Sequence, residues 1–358
     1  MKKITAILIA VLLIAASLVS CGEKKTSEKK QEDTGVYEVA LILDSNGAED
    51  GGFNQKTWSS VKSFCSSKDL TCRYYTADKD KKDVYLDNVK KAVGKGAGMV
   101  IFAGSSFETA AYDAQKEYPD ISFLILDGMP HSSSNKYDLK NNMTGVMFAE
   151  EEAGFLAGYA AVKDGYDNIG FIGGKETPAV KRYGYGFVQG ADAAAKDMGL
   201  SSKVKLRYSY TAADKAGKKA SDWYGSGTQV IFACGAGVSE TVCKAAEDSE
   251  RKVIGSDVDQ SGISETVITT AEKNIRTAAE DVLRGYAGDS FNGGTAFNYA
   301  AKNDGVKLEM KNSRFSKFTG DDYKKIFSKL KKGSVELKKD TEADSVKDVL
   351  GGHVELIK

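Results

Sequence analysis

The sequence predicts an α/β protein of two Rossmann-like lobes, each a parallel β-sheet flanked by helices, with a ligand cleft between them. Three observations carry this. Short β-branched apolar runs alternate with helical stretches, the pattern of βαβ units. The order of elements occurs twice. The two copies also share a register: Val100-Ile-Phe-Ala103 recurs as Val230-Ile-Phe-Ala233, and Asp127 as Asp257, both 130 positions later. The segment 37–44 lies over 167–174 at the same shift, while Arg73-Tyr74 lies over Arg207-Tyr208 at 134, so the spacing slips and recovers.

The elements follow in order. Lys2 and Lys3 precede a nearly unbroken apolar run, Ile4 to Val19, which has the flanks of a signal peptide over residues 1–20 and is short for a membrane span. It ends in Leu18-Val19-Ser20-Cys21, which resembles the lipobox of bacterial lipoproteins and implies a lipid on Cys21. Residues 21–35 carry no large apolar side chain and read as a disordered tether. In the first copy, strands are expected at 37–44, 73–76, 99–103 and 121–126, and helices at 53–64, 83–93 and 108–118, the last stopped by Pro119. In the second, strands are expected at 167–174, 204–210, 229–234 and 252–256, and helices at 184–198, 216–224 and 239–249. Lobe 1 is assigned to 36–147 and lobe 2 to 148–257, with 258–358 shared between them. The C-terminal part is lysine-rich, and Lys324 to Lys332 is an amphipathic basic stretch, read as a solvated helix face ahead of a lipid-facing one.

Composition excludes several classes. Lys+Arg and Asp+Glu are both 50, so there is no electrostatic footprint for nucleic acid. His131 and His353 are the only histidines, which excludes a multi-His metal site. There is no G-x-S-x-G, H-E-x-x-H or Walker A, and Gly184-x-Gly186 followed by Gly190 misses the dinucleotide spacing. No cofactor or metal is expected. Cys65, Cys72, Cys234 and Cys243 read as buried free thiols, with Cys65 and Cys72 alone spaced to pair across a helix-to-strand turn. In open parallel sheets ligands bind beyond the carboxyl ends of the strands, so Asp44, Ser105, Ser106, Asp127, Gly174, Gly235 and Asp257 are the positions of interest.

The stretch Asp44-Ser-Asn-Gly-Ala-Glu-Asp-Gly-Gly-Phe-Asn-Gln55 resembles the opening motif of the basic membrane protein (PnrA-like) family, nucleoside-binding lipoproteins of ABC transporters. Phe148 to Ala160, Ile169 to Pro178, Gly186 to Gly190 and Ile254 to Gln260 resemble further stretches of that family, in order. The resemblance implies a type I periplasmic-binding fold and a purine nucleoside (guanosine, adenosine or inosine) held by stacking and ribose hydrogen bonds. It also implies an ABC permease as partner, and a lipid-anchored, extracytoplasmic location without catalysis. By position, Phe53 is the stacking ring and Asp127 the base-recognition carboxylate. Asp257 and Lys273 hold the ribose, and Asp44, Asn54 and Gly235 complete the site. The family's second aromatic has no direct counterpart, and Tyr210 and Phe187 are its candidates. Each position has an ordinary structural reading beside this one: a core ring for Phe53, a helix cap for Asn54, turns for Asp44, Asp127 and Gly235, and a solvated helix face for Lys273. A receptor for a sugar or signalling molecule on the same fold, and a nucleoside-processing enzyme, are the alternative functions.

Overall fold

Val39–Leu43 (β1) is buried along its whole length, so both its faces are covered and it belongs inside a sheet. The computed structural model describes residues 35–358. The leader, Cys21 and the tether as far as residue 34 lie outside the described residues. Within them, α1 (Phe53–Ser67), β2 (Cys72–Thr76), α2 (Lys82–Gly94), β3 (Met99–Ala103), α3 (Glu108–Glu117), β4 (Ser122–Leu126) and β5 (Met143–Phe148) build the first lobe. After α4 (Glu150–Lys163), the second lobe repeats the plan. Its elements are β6 (Asn168–Gly173), α5 (Pro178–Met198), β7 (Val204–Tyr210), α6 (Ala213–Gly225), β8 (Val230–Cys234), α7 (Val238–Asp248), β9 (Lys252–Asp257) and β10 (Val267–Lys273). The chain then runs through α8 (Ile275–Ala287), β11 (Thr295–Tyr299), β12 (Val306–Leu308), α9 (Gly320–Lys331) and β13 (Val354–Leu356).

The sheet orders display the duplication. One sheet runs β11-β5-β4-β3-β1-β2 and the other β12-β10-β9-β8-β6-β7-β13. The core β4-β3-β1-β2 of the first corresponds strand for strand to β9-β8-β6-β7 of the second. All neighbours are parallel except β10 with β12. The chain passes between lobes three times. After β5 it enters α4, which packs on α5 and β10; after β10 it enters α8, which packs on α1; and β11 of the first sheet leads to β12 of the second. The crossings are tied together, since Ala149 N–H donates to Tyr299 O and Asn274 N–H donates to Gly305 O.

Two family-like stretches have a packing explanation. In α4 every residue but Glu152 and Lys163 is buried, so this helix has no polar face and shows no amphipathic period in the sequence. It lies against α5 at glycines from both sides. A Cβ on Gly154 or Gly158 would collide with the carbonyl oxygens of Tyr183 and Phe187, and one on Gly186 or Gly190 with those of Glu151 and Phe155. The helix α5 also starts earlier than its periodicity suggests, at Pro178, with the Thr177 hydroxyl accepting from Val180 N–H as the N-cap.

Because the collisions at the α4–α5 seam are with backbone, side chains cannot relieve them. Gly158→Ala should lower the unfolding free energy by about 2–3 kcal/mol. Gly320→Ala is the control. Gly320 opens α9 with no atom near the added methyl, so the change should be neutral or stabilising by up to about 1 kcal/mol. Chemical denaturation of the two variants checks both.

Candidate functional site

The carboxyl ends of the two sheets face a common cavity of about 410 Å³. The first lobe lines it with Asp44, Phe53, Asn54, Tyr85, Ser106 and Asp127, the second with Val180, Tyr183, Gly235, Asp257 and Lys273. The duplicated backbone sets matching corners at its rim. Asp127 (φ 63°) and Asp257 (φ 67°) both turn through the left-handed region at the ends of β4 and β9, a conformation that Asp tolerates better than most residues. Gly104 (φ 116°) and Gly235 (φ 113°) end β3 and β8 in the same way. Phe107 N–H returns to Gly104 O as Val238 N–H does to Gly235 O. The turn-forming reading of Asp127 and Gly235 therefore holds, and these turns line the cavity.

Lys273 is the last residue of β10 and its side chain is almost wholly buried, so it is not a solvated helix residue. Its Nζ donates to both oxygens of Asp127 at 2.9 Å. It also lies 3.1 Å from Glu150 Oε1 and 3.2 Å from Asp257 Oδ1. Burial works to lower its pKa, but Asp127, Asp257 and Glu150 outweigh this and hold the ammonium charged, with its pKa well above the usual lysine value. Glu150, fully buried at the start of α4, also receives Arg182 Nη1 at 2.9 Å, and Arg182 Nε in turn donates to Asp340 at 2.8 Å. Tyr183 Oη donates towards Asp257 Oδ1 at 3.3 Å. Asp127 and Asp257 come from different lobes, so one ammonium bridges both walls of the cleft.

Beside this charged end stands the Phe53 ring, with Lys273 Nζ 5.6 Å from its centroid. Phe53 opens α1 and is half-buried, leaving part of its ring on the cavity. The loop before it is held by Asp50, whose carboxylate accepts from the backbone N–H groups of Gly52, Asn54 and Gln55. Asp50 thus does the capping work that was the alternative role for Asn54. The Asn54 side chain instead donates to Asp44 Oδ1 at 2.7 Å. Burial raises the Asp44 pKa, and the hydrogen bond from Asn54 opposes this.

Two sequence-based candidates lie elsewhere. Phe187 is fully buried, on the α5 face that meets α4 and among Phe171 and Phe232, so it has no surface to offer a ligand. Tyr210 sits edge-on to Phe171 and Tyr208, and its hydroxyl pairs with that of Tyr208 at 2.9 Å. Neither lines the cavity. From the second lobe the lining includes the aliphatic Val180 and Ala179. Sequence reasoning missed Glu150, Tyr183 and Tyr85. Glu150 lies in a quoted motif, but three consecutive glutamates give no sign of which one turns inward.

Burial pushes the Asp127 carboxyl from 3.8 up to about 6, against the pull of Lys273. The fold therefore favours the protonated acid. That contribution is complete below 3.8 and is lost as pH rises through about 6. The unfolding free energy should fall across this window, and Asp127→Asn should remove that part of the fall. Glu272, raised by burial to about 7, adds a fall of the same sign that persists in the variant. Denaturation curves between pH 4 and 7 read both.

Residues 37–341 match the family model described as Bmp, ABC transporter substrate-binding protein PnrA-like. The ABC transporter nucleoside-binding protein BmpA of Lactococcus lactis subsp. cremoris is 30% identical, over 87% of this chain and 93% of its own. Basic membrane protein A of Borreliella burgdorferi is 28% identical, over 87% and 89%. The fold is shared with an ABC transporter solute-binding protein from Aeropyrum pernix K1, at a TM-score of 0.74 and 15% identity over 87% of this chain and 95% of that one. With its duplicated sheets, its strand-end cleft and a family match over nearly all the described residues, the chain belongs to the Bmp family of PnrA-like ABC transporter substrate-binding proteins.

Proposed function

We propose that this substrate-binding protein captures a purine nucleoside in the cleft, closes over it, and releases it unaltered to an ABC permease. The observation that carries the reading is the juxtaposition of Phe53 with the cluster of Lys273, Asp127 and Asp257 inside one cavity of about 410 Å³. A nucleoside is a flat heterocycle joined to a diol. The ring stacks on an aromatic face, and the ribose hydroxyls donate to carboxylates and accept from an ammonium. The nucleoside-binding name of the Lactococcus lactis relative points the same way.

Charge favours a nucleoside over a nucleotide. The cavity is lined by Asp44, Asp50, Asp80, Asp127 and Asp257 against Lys175 and Lys273. Carboxylates in such excess attract hydroxyl and N–H donors and repel a phosphate, which needs backbone N–H groups and free cations. The three chain crossings supply the hinge for closure. In this reading the leader routes the chain out of the cytoplasm, and a lipid on Cys21 keeps it beside its permease.

Guanosine titrated into the ligand-stripped protein should bind with 1:1 stoichiometry and be recovered intact after long incubation, while its 5′-monophosphate, ribose and hexoses fail to compete. Phe53→Ala should weaken guanosine about 5- to 150-fold, from a stacking contribution of roughly 1–3 kcal/mol. Asp257→Asn should weaken it about tenfold or more through loss of charge-assisted hydrogen bonds. Wild-type affinity in both variants would remove these side chains from the site. Cleavage of the glycosidic bond would make the protein an enzyme.

A further inference from the structure

The wall contributed by α2 holds a polar group that nothing above employs. Tyr85 is 2% exposed, and its ring packs on Phe107 with centroids 4.2 Å apart, so the side chain is fixed in place. It lines the cavity. Its Oη has Ser106 and Asp80 as polar neighbours, yet it completes no hydrogen bond with any described residue. The carboxylates nearby already hold other donors, and neither they nor the Ser106 hydroxyl meets the phenol in hydrogen-bond geometry. Asp80 takes the Ser45 N–H at 2.8 Å and the Ser45 hydroxyl at 3.0 Å. Asp44 takes the Asn46 N–H at 3.0 Å and the Asn54 amide at 2.7 Å. What remains unspent on this wall is a donor.

A buried hydroxyl with no partner weakens a fold, and phenylalanine would fill the same space without that cost. A hydroxyl so placed on a cavity wall is satisfied when a ligand brings an acceptor to it. We propose that Tyr85 Oη is a specificity-determining donor to the carbonyl oxygen of a 6-oxopurine, so that the cleft takes inosine and guanosine in preference to adenosine.

The inference rests on the nucleoside reading and on the direction that reading gives the ligand. With the ribose at Asp257 and Lys273 and the base on Phe53, the exocyclic group at position 6 is far from the sugar and reaches into the first lobe. Hypoxanthine and guanine carry a carbonyl oxygen there, and adenine an amino group. The amine can donate to the phenol oxygen but offers its O–H no acceptor, so the donor stays unsatisfied. Sites built to hydrogen-bond one group discriminate against an analogue lacking it for this reason. Burial raises the phenol pKa, which keeps Tyr85 protonated and donating at physiological pH.

The test is calorimetric titration of the ligand-stripped full chain with inosine and with adenosine, for wild type and Tyr85→Phe, beside the melting temperature of each protein without ligand. Wild type should bind inosine at least about tenfold more tightly than adenosine, the equivalent of one hydrogen bond. Tyr85→Phe should bring the ratio towards one and melt at or above the wild-type temperature, because it removes a hydroxyl that the empty protein does not satisfy. Tight binding of both nucleosides with a ratio unchanged by Tyr85→Phe, or adenosine bound at least as tightly as inosine by wild type, overturns the assignment of Tyr85 and leaves the nucleoside reading standing. Binding of neither nucleoside overturns that reading and this inference with it.

Discussion

A lysine ammonium removed from water needs negative charge around it, or it gives up its proton. Lys273 meets this condition with Asp127, Glu150 and Asp257, which come from the end of β4, the start of α4 and the end of β9. Its burial therefore forces three distant pieces of chain to converge. Glu150, one of them, and Lys273 itself stand at places where the chain passes from one lobe to the other. The arrangement fixes how the sheets meet and gives the cleft its charged floor. Arg182 and Asp340 extend it outwards to the C-terminal segment, so the tail of the chain also depends on the same buried charge.

Duplication built the scaffold and divergence made the site. The glycine corners after β3 and β8 are alike, as are the left-handed aspartates after β4 and β9. Two identical lobes would give a symmetric cleft. The asymmetry comes from a few side chains: Phe53, Tyr85 and Ser106 on one wall, Val180 and Tyr183 on the other, and Lys273 on the floor. A ligand with a flat apolar end and a polyhydroxyl end matches that asymmetry.

The parts of this molecule legible in the sequence were those where local pattern and tertiary role agree. The buried strands of both sheets announce themselves as β-branched runs, and the 130-residue shift between Asp127 and Asp257 places two residues at the cleft. Legibility fails where burial erases periodicity, as in α4. It also fails for residues whose meaning lies in distant partners. Helical spacing singles out Val84 and Leu86 in α2, whereas Tyr85 between them is the deeply buried one. Phe187 and Tyr210 attract notice as aromatic side chains near family-like stretches, yet Phe187 packs on Phe171 and Phe232 of the sheet and Tyr210 into the Tyr208 cluster. Lys273 was found by motif resemblance alone, since no local pattern marks a strand-end lysine as buried.

The three interlobe crossings have a mechanical corollary. A bound molecule gripped near the pivot of two rotating bodies sits on a short lever arm, so the distances around Lys273 change little as the jaws swing, while groups farther out sweep through larger arcs. A group bound beside Lys273 would then keep its contacts throughout the swing. Asp50 and Lys175, contributed to the cavity by different lobes, would travel farther.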